Sequence, residues 1–134
     1  MIRPADPAEA AAISALAVRS KAHWGYTPEQ MDVFRRELTL TPADVERSRA
    51  HVCEEDGCIV GFYTLGDDGE GDASLEHLFV DPAHLGHGVG TALLTHACAA
   101  AAATGRTRLV IQSDPNAAGF YRARGARPAG SVPS

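Results

Sequence analysis

The sequence predicts a mixed α/β fold: one central β-sheet, part antiparallel and part parallel, flanked by helices on both faces. Three observations lead there. An apolar run over residues 75–80 stops at Asp81-Pro82 and passes, through a loop with glycines at 86, 88 and 90, into a helix that is under way by Thr91. Asp56-Gly57 lies between two strand-like runs and marks a tight hairpin. Ahead of the hairpin, apolar residues recur at helical spacing. A hairpin makes an antiparallel pair, whereas a strand that returns through a helix makes a parallel one.

Taken in order, residues 1–3 fit a short strand before Pro4. Asp6-Pro7 supplies an N-cap and a proline at the first helical position, and Ile13, Leu16 and Ala17 share a face, so a helix covers about 7–21. Gly25 breaks the pattern. Thr27-Pro28-Glu29-Gln30 opens a second helix with capping-box spacing, and Met31, Phe34 and Leu38 form its apolar face. Thr41-Pro42-Ala43-Asp44 caps a short third helix. Residues 51–54 and 58–65 are the hairpin strands. Residues 66–72, acidic and glycine-rich, read as a loop, with Asp67, Asp68, Glu70 and Asp72 solvated. The next strand is 75–80, and the long helix runs from 88 to about 104, where Gly105 ends it. Residues 109–111 form a buried-type strand, and 116–124 a short helix closed by Gly125. There is no repeat and no linker, so residues 1–134 read as a single domain.

Composition narrows the classes. With 45% apolar residues in 134, the chain can bury a core of its own. The formal charge of −5 argues against a nucleic-acid partner. Lys21 is the only lysine, and arginines crowd the C-terminal third. Three cysteines, Cys53, Cys58 and Cys98, include no Cys-x-x-Cys pair, so no metal is expected and free thiols in a reducing cytoplasm are. No signal-like N-terminus and no run near the roughly 20 apolar residues of a membrane span is present.

The chemistry lies in the glycine loop. The first amides of a helix have no internal partner and carry partial positive charge, and glycine lets a phosphate approach them closely. The Walker pattern is absent, since no Gly-Lys-Ser/Thr occurs. The run Leu78-Phe79-Val80-Asp81-Pro82, the 86/88/90 glycine loop, and Asn116-Ala117-Ala118-Gly119-Phe120-Tyr121-Arg122-Ala123-Arg124-Gly125 resemble the two core motifs of the GNAT superfamily of acyl-CoA N-acyltransferases. The resemblance covers about residues 74–127 and is weaker before them. The family pattern Gln/Arg-x-x-Gly-x-Gly/Ala falls on Leu85, Gly86, His87, Gly88, Val89 and Gly90. Leu85 replaces the usual polar first residue, leaving His84 or His87 as side-chain help.

The resemblance implies an acetyl-CoA-dependent N-acetyltransferase with the acyl-CoA N-acyltransferase fold, working by direct attack of a primary amine on the thioester. Acetyl-CoA is then the co-substrate, held by Leu78, Phe79, Val80, Gly86, His87, Gly88, Val89, Gly90, Thr91 and Asn116. The main chain of 78–80 would pair with the pantetheine arm like an added strand, and a backbone amide near Phe79 would polarise the thioester carbonyl. Asn116 also fits a helix N-cap. Tyr121 matches the tyrosine that protonates the departing thiolate, whose conjugate acid has a pKa near ~8.5 by analogy with cysteine; packing beside Phe120 is the plainer role. Strict alternation places Ser74, Glu76, Leu78 and Val80 on one strand face, with Leu75, His77 and Phe79 on the other. Glu76, a charge in an apolar strand, is the leading base, its pKa raised by burial, and His77 is the runner-up. An ion pair or a solvated strand end also accounts for Glu76. His23, Trp24 and Tyr26 join the first two helices, where the family walls the acceptor site; their rings suit an amine or an apolar body, unless Trp24 merely anchors the loop.

The expected partner is a small-molecule or peptide amine, without nucleic acid or membrane. The family continues into a further strand where this sequence ends in Ser131-Val132-Pro133-Ser134, so either a homodimer or a short edge strand near Ala126 is expected. Leu85 and that short end also admit a non-catalytic acyl-CoA-binding sensor.

Overall fold

The computed structural model describes residues 1–67, 72–106, 108–111 and 117–124. The strands β1 (Ile2–Pro4), β2 (His51–Glu55), β3 (Cys58–Asp67), β4 (Ala73–Val80) and β5 (Leu109–Ile111) form one sheet in sequence order. The first four pair antiparallel, and β5 runs parallel to β4. The helices are α1 (Ala10–Ala22), α2 (Pro28–Glu37), α3 (Pro42–Arg47), α4 (Val89–Ala103) and α5 (Ala118–Ala123). This is the mixed sheet expected.

The helix starts are those written in the sequence. Thr27 Oγ1 accepts from Gln30 N while the Gln30 amide accepts from Thr27 N, and Thr41 and Asp44 repeat the exchange before α3. Asp6 and Glu9 do the same at a 3-10 turn leading into α1. Each such cap is worth about 1 kcal/mol.

Each face of the sheet buries its own core. On one, α4 lays Leu93 and Ala97 against Tyr63, Leu65 and Leu75. On the other, Ile13, Leu16 and Val45 from α1 and α3 close over Val52 and Phe62. Ile13, Phe62 and Leu93 are fully buried, and such a side chain contributes roughly 1.5–3 kcal/mol. Arg3 reaches Glu9 with two hydrogen bonds of 2.9 and 2.8 Å and Glu54 with one of 2.8 Å, tying β1 to both neighbours.

Two expectations need correction. Strand pairing outlasts the apolar pattern: Gly66 and Asp67 still pair with Ser74 and Ala73, because the backbone ladder does not need apolar side chains. More consequential is β4, which does not alternate strictly. Thr64 pairs with His77 but Leu65 pairs with Leu75, so Glu76 is an extra residue in a bulge. Leu75 thereby joins Leu78 and Val80 on the α4 face instead of opposing them. Asn116, Gly125, the edge strand considered near Ala126, and Asp68 and Glu70 lie outside the described residues.

Candidate active site

The β4–β5 ladder stops early. β5 pairs only with Ala73, Ser74 and Leu75, so among the described residues the rest of β4 has a neighbour on the β3 side alone. Asp81 N–H donates to Val60 O at 2.8 Å, which fixes the phase of that pairing. Backbone groups alternate in direction along a strand. Phe79 therefore turns its own toward β3, while Leu78 and Val80 turn their N–H and C=O toward the open edge. A cleft of about 680 Å³ lies along this edge, between α1 and α2, the start of α4, and α5.

At one end of the cleft is the glycine loop. Asp81 caps a 3-10 turn, Pro82–His84, by accepting from Ala83 N at 3.0 Å, and a 3.0 Å ion pair with Arg19 holds that corner to α1. Gly86 and Gly88 have φ of 82° and 79°, which side chains resist. Gly88 is the N-cap of α4, whose first turn has neither a side-chain cap nor an acidic residue. Gly90 serves helix packing instead. A Cβ there would come within 3.0 Å of the Phe120 ring, so its absence lets α5 press on α4. Gly86, Gly88, Val89, Gly90, Thr91 and Leu85 line the cleft; His87, expected among them, is exposed and instead packs edge-on to His84 with ring centres 6.0 Å apart. His84 lines the cleft, and its buried Nδ1 has no hydrogen-bond partner among the described residues.

The α5 side brings Tyr121, buried, with its phenol pKa pushed up to about 12 by desolvation. Sequence reasoning passed over Arg124. Its guanidinium lies 3.9 Å over the Phe120 ring, donates from Nε to Thr91 Oγ1 at 2.7 Å and from Nη1 to Phe120 O at 2.9 Å. The contact puts a cation beside the positive end of α4, an arrangement that an anion between them relieves. The arginine-rich C-terminal third was the available signal.

On the opposite wall, Trp24, Phe34 and Lys21 line the cleft. Trp24 is 46% exposed, so it does not anchor the loop in the core. His23 stands behind it, edge-on at 5.2 Å, and Tyr26 packs edge-on to Phe34 at 4.8 Å, so neither lines the cleft. Lys21 Nζ sits 4.6 Å from the centre of the Phe34 ring. Glu76 and His77 of β4 also line the cleft. The burial expected of Glu76 is not found: the bulge turns it out, exposed, over Gly66, where a Cβ would overlap its carboxylate. His77 is partly buried, its pKa lowered by desolvation against an upward pull from Glu76, and its Nδ1 lies 2.6 Å from Thr64 Oγ1. No three His, Cys, Asp or Glu side chains gather as metal ligands among the described residues.

This geometry fits a long phosphorylated ligand: amides and an arginine for its anionic part, a free strand edge for an amide-bearing arm, and an unmet ring nitrogen along the way. The comparisons agree. The model of the acetyltransferase (GNAT) family matches residues 7–126. A GCN5-related N-acetyltransferase from Rhodopseudomonas palustris is 27% identical, with a TM-score of 0.79 over 93% of this chain and 79% of that one. A PaiA N-acetyltransferase from Thermoplasma acidophilum, solved with coenzyme A, has a TM-score of 0.79 at 18% identity, covering 93% of this chain and 87% of its own. A GCN5-related N-acetyltransferase from Ralstonia eutropha has a TM-score of 0.78 at 20% identity, over 100% and 96%. These last two show likeness of fold. No curated protein matches the chain.

Proposed function

The chain belongs to the GNAT acetyltransferase family and is an acetyl-CoA-dependent N-acetyltransferase; we propose that it works by direct attack of a bound primary amine, as one catalytic domain. The observation that carries this reading is the edge of β4, open past Leu75 among the described residues, beside the uncapped start of α4. Acetyl-CoA, when bound, supplies the thioester acyl group. The amides at the start of α4, reached over Gly86 and Gly88, take its diphosphate, and Arg124 adds a cation that Leu85 does not provide. Leu78 and Val80 offer main-chain groups to the arm, and one of their N–H groups, adjacent to Phe79, holds the thioester oxygen. Asn116 and His87 remain in the proposed cofactor set on the family motif, and His23 and Tyr26 support the acceptor site by packing against Trp24 and Phe34 respectively.

Glu76, exposed where the amine enters, accepts the proton through water. Tyr121 faces the departing sulfur. The buried phenol at about 12 against a thiol with its aqueous value near ~8.5 makes complete transfer uphill by about 5 kcal/mol. The same burial raises the thiol's pKa and narrows that gap, so Tyr121 hydrogen-bonds the developing thiolate and releases its proton late.

The enzyme acts in the cytoplasm as a homodimer. Free cysteines support the first; for the second, β5 has a neighbour on its β4 side alone among the described residues, an edge that a second copy would cover. The net charge of −5 speaks against nucleic acid, and no described helix is long and apolar enough to cross a membrane. Acetyl-CoA turnover against a panel of amines, read as free thiol, tests the function. Amine-dependent thiol release is expected; tight coenzyme binding without release across the panel contradicts it.

A further inference from the structure

We propose that Thr64 fixes His77 as a hydrogen-bond donor to the acceptor, so that the amine this enzyme acetylates carries an oxygen acceptor, carboxylate or carbonyl, close to its nitrogen. The proposal rests on the cleft being the transferase site and names the chemistry of its acceptor.

Thr64 is fully buried, and its hydroxyl makes one hydrogen bond among the described residues, to His77 Nδ1 at 2.6 Å. A hydroxyl has one proton to place, and in a dry site an unplaced proton is costly. The acceptor within reach is Nδ1. The hydroxyl therefore donates to Nδ1, and the ring proton resides on Nε2. The opposite tautomer keeps the contact but strands the hydroxyl proton. The rings of Phe62 and Phe79, with centres 6.3 and 6.1 Å from that of His77, hold the imidazole in place. Burial also disfavours its charged form, so it remains a neutral donor.

His77 lines the same cleft as Glu76 and Trp24. Nδ1 is engaged with Thr64 of β3, which leaves Nε2–H as the ring's donor to a ligand in that cleft. An ammonium beside Glu76 and an oxygen beside Nε2–H satisfy these two groups together. A plain alkylamine leaves Nε2–H without a partner once water is displaced, and a site that does so rejects the ligand.

The tautomer is tested directly by ¹⁵N spectra of histidine-labelled protein, with the His77 resonances assigned by their loss in His77→Gln. A protonated Nε2 and a bare Nδ1 are expected, kept in Thr64→Ser and lost to a tautomer mixture in Thr64→Val. A protonated Nδ1 in the wild type overturns the proposal. The acceptor class is tested with an amino acid, its amide and the alkylamine of equal length. The two oxygen-bearing amines should exceed the alkylamine about tenfold in kcat/KM, and their ratio tells carboxylate from carbonyl. His77→Gln, which keeps an N–H, should retain the preference, whereas His77→Leu should raise KM about tenfold with kcat within about twofold. Equal use of the alkylamine, or a collapse of kcat at unchanged KM, overturns it. Failure to acetylate any amine contradicts the transferase reading instead, and the ring-nitrogen spectra stand apart from that result.

Discussion

Arg124 Nε and Thr91 Oγ1 meet at 2.7 Å, joining the residue that follows α5 to the first turn of α4. The bond holds a guanidinium where a helix end is already positive. Arg124→Ala should weaken coenzyme A binding about tenfold, the scale of one charge-assisted hydrogen bond. Calorimetric titration measures it; an unchanged affinity removes Arg124 from the binding site.

Gly66 and Glu76 are coupled by space. A methyl group at Gly66 overlaps the Glu76 carboxylate and displaces it. Gly66→Ala should therefore lower kcat at least about tenfold, in the direction of Glu76→Gln, because a positioned base contributes about 10²–10⁴. Coenzyme affinity should stay within about twofold. Full turnover in Gly66→Ala, with the helical spectrum intact, rules out Glu76 as the base.

The elements were legible because their signals are local. Capping boxes at Thr27 and Thr41, the Asp56-Gly57 turn and the glycine loop each lie within a few residues. Glu76 was named as a base, but its exposure was not legible, because a bulge is a property of two strands in register, and alternation within one strand cannot reveal it. Arg124 was missed for a related reason: its partner, Thr91, lies 33 residues away in sequence. Trp24 was named from the sequence and lines the cleft, but its exposure depends on how α1 and α2 meet.

Tyr121 keeps its proton far into the alkaline range. With its pKa raised by burial to about 12, the rate profile should show no break from this group below about pH 11. Tyr121→Phe should slow thiol release about ten- to a hundredfold and leave coenzyme affinity within about twofold. An unchanged rate excludes the phenol from the mechanism.

Stability should fall on mild acidification. Burial lowers the pKa of both His77 and His96, with His51 adding to the effect on His96. Below about 6.5 the unfolded chain takes up these protons and the folded one does not yet, so stability present above that pH is lost as it falls. Melting temperatures from pH 8 to pH 5 should decline, and His77→Gln should flatten the slope. The Glu9 carboxyl, held at about 2 chiefly by its hydrogen bond with Arg3, acts only at lower pH. A melting temperature that rises toward pH 5 contradicts this assignment.

The most direct measurement is a crystal structure of the protein grown with coenzyme A. The diphosphate should lie against the backbone nitrogens of residues 88–91 with Arg124 beside it, and the pantetheine arm should run along the free edge of β4 at Leu78 and Val80. A nucleotide bound elsewhere, with this edge and the start of α4 bare, would contradict the assignment of the site.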